Sequence, residues 1–435
     1  MSSIPRSLEV PSSEPRLTLM TDRSTQLMRD GYQQPPSRPE TDLITACART
    51  NIDKNTENKI AALVESNIDW DYTIEQARQH GLLPLLYWNI RSYAIPPAVK
   101  NSLRETFSQN AEFNLLRTKE LLLLLDLFES HGIPALSFKG PLLAQRAYRN
   151  VALRQFSDLD ILVQKRHLRK ARKLLLLQGY KLGVELSWLQ LRFPLLSQRK
   201  DNILVDENRR IVIELHGQLS GSHFQFPLAL KDLLPRLQTI YLGGKAVRSL
   251  PPEDLLSYLC LHGSRHCWER LLWVTDVAEL VQSNPELRWD LVLKQAEKLG
   301  GRRTLSLGLL MARDLLGLRI PDDVWQSLQI EPATELLAID LQDSLFEPVA
   351  TEKGISYWHQ IHMRMRERGS DRFRLRLHYY RRYLRLALVP NERDHALVEL
   401  PRGLSFLYYA LRWLRLLNQY AGSSFRISKR NADSR

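Results

Sequence analysis

LSFKGPLLAQRAYRNVALRQFSDLDILV, residues 136–163, changes period twice, and those changes decide the fold. The apolar run that leads into it, IPALSF (133–138), reads as a buried strand that stops at Lys139-Gly140-Pro141. PLLAQRAY then restarts at helical spacing, with Pro141 near the first turn, where a missing N–H does no harm. DLDILV (158–163) alternates as a strand, and RHLRKARKLLLLQGY reads as a helix closed by Gly179. Further on, NILV (202–205) and RIVIELH (210–216) pair as a hairpin around Asp206-Glu207-Asn208. Strand, helix, strand, helix and antiparallel strands predict a small mixed sheet of about 90 residues.

The flanks are helical. IAALVESNI and the stretch from Trp70 to Ser92 repeat apolar residues at three and four. Residues 98–130 read as one long helix ending at His131-Gly132, with Gly132 as its C′ residue. From Pro251 onward the pattern predicts helices at 252–266, 270–283, 287–299, 302–316, 333–346, 371–388 and 403–420. Residues 1–40 are rich in Ser, Pro and Arg and read as a disordered leader. The expectation is therefore an α+β chain. A mixed-sheet core at 131–245 lies between helical regions 41–130 and 246–420, and a flexible tail follows at 421–435.

Composition sets limits. Hydrophobic residues at 44% and charged residues at 25% suit a globular protein that buries a core, which excludes collagen-like and wholly disordered classes. Basic residues outnumber acidic ones, 61 to 48, and the net charge of +13 favours polyanionic partners. Cys47, Cys260 and Cys267 form no disulfide framework and suit a reducing cytosol. The N-terminus lacks an apolar signal-peptide core, and the most apolar run, Leu121 to Phe128, is broken by Asp126. It is far shorter than the roughly 18 residues a membrane helix needs, so the expectation is a cytoplasmic protein without a membrane span.

Asp158 and Asp160 carry the chemistry. Two apart on a strand, their carboxylates point to one face. Like charges so placed repel, and a fold keeps them where a cation neutralises them. Hard oxygen donors of this kind suit Mg²⁺ or Mn²⁺, which then also contact substrate phosphates. Glu214, in IVIELH, would complete such a site from a neighbouring strand. Lys139 is placed to neutralise phosphate, Gly140 lets backbone approach it, and Arg154 lies four residues before Asp158.

At these residues the chain resembles a known family. The stretch 136–163, a helix ending QGY, and IELHGQL (213–219) are similar to the uncharacterised nucleotidyltransferase family of bacteria. That family lies within the polymerase-β-like nucleotidyltransferase superfamily. WDYTIEQARQHGLLPLLYW (70–88) and LCLHGSRHCWERLLWVTDVAEL (259–280) are similar to its helical segments, so the resemblance covers most of residues 41–420. It implies a nucleotidyltransferase fold, metal-binding aspartates at Asp158 and Asp160, and a third acid at Glu214. Its Lys-Gly turn falls at Lys139-Gly140, and its Arg before the aspartates falls at Arg154. The wider superfamily carries Gly-Ser or Gly-Gly at that turn and a shorter gap to the first Asp. The implied activity is transfer of a nucleoside monophosphate from an NTP to an acceptor.

Two more clusters stand out. His262 and His266 share a helix face at i and i+4, beside Arg265, Cys267, Trp268 and Asp276. Zinc would need a further ligand from Cys260 or Cys267. The resemblance instead suggests that His262, Arg265 and His266 line the nucleotide cleft, with Asp276 orienting one of them. Between Arg364 and Arg385 nine arginines face only Glu367 and Asp371. Leu377, Tyr380, Leu384 and Leu388 there share an apolar face, with Arg374, His378, Arg381, Arg382 and Arg385 largely on another. This basic helix motivates an alternative: a catalytically inactive nucleotide- or nucleic-acid-binding protein that retains the fold.

Overall fold

The computed structural model describes residues 38–183, 202–206, 208, 211–219, 230–347, 355–390, 394, 398, 400, 404 and 407–415. The expected leader falls almost wholly outside the described residues, and the expected tail falls wholly outside them. Up to Asp371 the described residues form one compact unit, while those from Arg372 onward belong to another. The architecture is α+β.

Five helices open the first unit: α1 (Pro39–Cys47), α2 (Lys54–Glu65), α3 (Trp70–Gln79), α4 (Leu83–Ile90) and α5 (Pro97–Ser130). The continuous helical pattern over 70–92 resolves into two helices, because Gly81 takes a left-handed φ of +73° and turns the chain between them. α5 ends as expected, with Gly132 in the left-handed C′ position.

The core then follows as β1 (Ala135–Ser137), α6 (Gly140–Tyr148), β2 (Asp158–Val163), α7 (Leu168–Leu177), β3 (Lys181–Leu182), β4 (Ile203–Asp206) and β5 (Ile211–His216). The sheet order is β1-β2-β5-β4-β3, mixed as expected. β1 is antiparallel to β2, β2 runs parallel to β5, and β4 is antiparallel to β5. Alternation gives the sheet two unlike faces. Leu159, Ile161, Ile213 and Leu215 are buried with Leu124 and Phe128 of α5 and Leu175 of α7. Each such side chain contributes about 1.5–3 kcal/mol by leaving water. A slip of one residue would turn them outward, so the apolar face fixes the register. By the same alternation, the opposite face receives Asp158, Asp160, Glu214 and His216.

A short helix α8 (Leu230–Leu233) precedes a hairpin, β6 (Gln238–Leu242) and β7 (Lys245–Ser249), turned by Gly243-Gly244 with both φ values positive. The sequence expectation omits this hairpin. Helices follow at α9 (Pro252–Arg265), α10 (Leu271–Gln282), α11 (Trp289–Leu299), α12 (Arg302–Leu316), α13 (Asp322–Leu328), α14 (Pro332–Asp343), α15 (Ile355–Arg364) and α16 (Gly369–Leu388). Residues 407–415 are also helical. None of the described helices is long and apolar enough to cross a membrane. On α16 the expected apolar stripe is exposed, and the buried residues are Asp371, Leu375 and Tyr379. Those three recur every four residues on the side of the helix away from Leu377, Tyr380, Leu384 and Leu388.

α10 is tied to its surroundings by polar groups. His80 Nδ1 accepts the Leu271 N–H at 3.1 Å, a cap supplied from another segment. Glu279 accepts from both the backbone N–H (2.9 Å) and the hydroxyl of Thr50. Burial holds the His80 imidazole down to about 4 and that of His362 down to about 3. Both groups are therefore neutral in the fold and take up a proton on unfolding below the ordinary histidine value of about 6.5. The unfolded state then binds more protons, so stability falls as pH drops from about 6.5 toward the folded-state values. At about pH 5.5 each histidine should cost about 1.2 kcal/mol relative to pH 7. Urea melts at the two pH values check this: the stability gap between wild type and His80→Gln should narrow by that amount at the lower pH.

Candidate functional site

The parallel register of β2 and β5 sets Asp160 opposite Glu214 and Leu162 opposite His216. Asp160 is buried, and His216 Nε2 lies 2.7 Å from its Oδ1. Lys139 Nζ lies 3.5 Å from the other oxygen, Oδ2. Glu214 Oε2 is 3.8 Å from His216 Nε2, and its side chain is 42% exposed, so the cluster opens toward solvent on that side. Among the described residues, Asp160, Glu214 and His216 form the group of potential ligands whose donor atoms lie within 4.8 Å of one another.

Local structure explains the neighbours. Lys139 has extended backbone at the N-cap of α6, and Gly140 follows with φ +53°. A Cβ on Gly140 would stand 3.4 Å from the Asp158 carbonyl oxygen, so the turn lies directly against the first aspartate. Glycine serves here for both the dihedral and the close approach. Asn114 of α5 donates to the carbonyls of Val151 (2.7 Å) and Arg154 (2.8 Å), and Asn110 to that of Ala152 (2.9 Å). These bonds pin the segment that delivers Asp158 to the head of β2.

The electrostatics are divided. Burial and the charge of Asp160 push the Asp158 carboxyl above its ordinary value. Burial would raise Asp160 as well, but Lys139 and the His216 hydrogen bond hold it well below the carboxylate range. Burial opposes the Lys139 charge, yet Asp160 and Tyr258 raise it above a free lysine. Arg117, on α5, feels the Asp158 charge and adds a cation that the sequence expectation lacks.

The remaining expected residues are distributed differently. Arg154 is buried and forms a two-pronged pair with Asp276, Nε to Oδ1 at 2.7 Å and an η-nitrogen to Oδ2 at 2.8 Å. The Tyr148 hydroxyl also donates to Asp276 Oδ1 at 2.7 Å. Asp276 thus orients an arginine and a tyrosine, not one of the histidines. The Arg154 fork is turned to Asp276, while its charge still acts on Asp158. Tyr258 of α9 packs edge-on to Phe138 at 5.0 Å, and His262 stacks on Tyr258 at 6.0 Å. His266 continues the row, 4.7 Å from His262 and 4.9 Å from Trp273. Burial holds both imidazoles below their ordinary value, His266 at about 3, and His262 Nδ1 has no hydrogen-bond partner among the described residues. These histidines form an aromatic wall, and the candidate ligand cluster lies with Asp160 instead.

Sequence reasoning missed His216 as a site residue. The signal was present, since Glu214 and His216 repeat the two-residue spacing of Asp158 and Asp160. The arrangement gathers anionic oxygens, one imidazole and a lysine at the half-open face of a small sheet, a setting suited to a cation and to phosphate. No curated protein and no solved structure matches the chain. The profile of the uncharacterised nucleotidyltransferases matches residues 66–317, more than half of the 435 residues. The matched span contains both sheets, the carboxylates, the Lys-Gly turn and the α9–α10 wall, and the chain belongs to this nucleotidyltransferase family.

Proposed function

We propose that the chain transfers a nucleoside monophosphate from an NTP to an acceptor hydroxyl, with Asp158, Asp160 and Glu214 holding Mg²⁺ or Mn²⁺. One observation carries this: carboxylates from two parallel strands converge on one sheet face beside Lys139. The donor set fits a hard dication, since carboxylate oxygens predominate and the cluster is half open to solvent and phosphate. Such a cation, when bound, offsets phosphate charge and stabilises the leaving pyrophosphate.

The chain's own groups would do the rest. Lys139 leans on Asp160 and is within reach to pass its charge to a phosphate oxygen. Gly140 opens the turn for that approach. Arg154 contributes its field through Asp158 and does not contact phosphate. Glu214, the more exposed carboxylate, lies open to solvent and is the group that would take the proton of an acceptor hydroxyl. His262 and His266 belong to the wall that continues from Tyr258, a neutral aromatic surface suited to stacking a base.

The test is incubation of the full chain with each α-labelled NTP, a divalent metal and a lysate of the host. Label should pass to an acceptor only when metal is present. Polyanion binding with a steep salt dependence, no label transfer and no metal requirement would favour the inactive binding protein instead.

A further inference from the structure

We propose that His216 is itself a ligand to the cation, so that the site selects a transition dication of the Mn²⁺ type over Mg²⁺. This rests on the reading of Asp160 and Glu214 as metal ligands and adds a nitrogen donor to them. Lys139 occupies the Oδ2 side of Asp160, which leaves Oδ1 on the edge shared with His216 and Glu214. On that edge His216 Nε2 stands 2.7 Å from Asp160 Oδ1 and 3.8 Å from Glu214 Oε2. Two neighbouring ligands on an octahedral ion with bonds of about 2.1 Å lie about 3.0 Å apart. The observed spacings bracket that value, so the three donors meet one ion with small side-chain adjustments.

The imidazole is also held where a ligand is needed. It ends β5 on the same face as Glu214, and the Phe138 ring meets it edge-on at 5.5 Å. Ligation requires only the tautomer with its proton on Nδ1, which frees the Nε2 lone pair. An imidazole in a carboxylate site favours first-row transition ions, whereas Mg²⁺ is best served by oxygen donors and water. The competing role for His216 is a hydrogen-bond donor that only orients Asp160, and that role carries no metal preference.

The experiment titrates wild type, His216→Gln and His216→Leu with Mn²⁺ or Mg²⁺, each alone and with inorganic triphosphate. Electron paramagnetic resonance follows Mn²⁺ and calorimetry follows Mg²⁺. Wild type should prefer Mn²⁺ by about tenfold or more, and either variant should shrink that ratio to about threefold or less. Bound Mn²⁺ should show nitrogen-14 echo modulation in wild type and lose it in both variants. His216→Gln retains a donor toward Asp160, so a purely orienting role predicts an unchanged ratio and would overturn the proposal. Mn²⁺ bound to wild type without nitrogen modulation would overturn it as well, leaving the carboxylate site intact. Binding of neither ion by wild type would remove the metal reading itself, and this proposal with it.

Discussion

Replacing Asp276 with alanine is expected to remove about 3–5 kcal/mol of folding stability, because it strands a buried guanidinium. Arg154 and Asp276 are both buried, and their two-pronged contact at 2.7 and 2.8 Å joins the loop before β2 to α10. Tyr148 loses its acceptor in the same substitution. Domains of this kind have only about 5–15 kcal/mol in hand, so the variant should unfold at much lower urea. Asp276→Asn keeps the shape and one acceptor and should lose less. The double variant Arg154→Met, Asp276→Leu removes both charges and should be more stable than Asp276→Ala alone, since apolar replacements of buried pairs are often neutral or better. Urea denaturation of the series measures the cycle. A loss below about 1 kcal/mol for Asp276→Ala would mean that water reaches Arg154 in solution.

Much of the core was legible because alternation is a local property. DLDILV and IVIELH each announce one apolar face and one polar face, and the structure uses both as written. Gly132 and Gly179 mark helix ends through backbone conformation, which is again local. The hairpin at β6–β7 was legible in principle: Gly243-Gly244 between alternating residues is a strong turn signal. The α16 stripe misled because amphipathicity gives the period of a helix but not which side meets other residues, and there the buried line runs through Asp371, Leu375 and Tyr379.

The site was legible in its parts and not in its pairing. The sequence places Asp158 and Asp160 on one face, but only the parallel β2–β5 register sets Glu214 beside Asp160. That register depends on a crossover through α7, β3 and β4, which no short pattern encodes. Arg154 and Asp276 are 122 positions apart, so the partner of that arginine could not be read locally. Nor could the pull of the Asp158 charge on Arg117, a half-buried residue of α5 some forty positions earlier in the chain.

Asp158→Asn and Asp160→Asn should each weaken metal-dependent NTP binding by tenfold or more, about 1.4 kcal/mol or above, yet they should differ in stability. A reading from the strand alone treats the two carboxylates as equals whose repulsion is relieved by either change. The structure separates them. Burial and Asp160 already disfavour the charge on Asp158, so Asp158→Asn should fold at least as stably as wild type. Buried Asp160 is the counter-charge to half-buried Lys139 and accepts from His216, so neutralising it leaves the lysine undercompensated. Its loss should lower stability by about 1–3 kcal/mol, the usual cost of unpairing a buried polar group. Calorimetric titration with Mg²⁺ and NTP reads the first effect, and urea melts without metal read the second. Binding like wild type in both variants would place the cation elsewhere. Equal stability of the two variants would mean that Lys139 does not depend on Asp160 in solution, and the turn at Gly140 would then hold the lysine by backbone geometry alone.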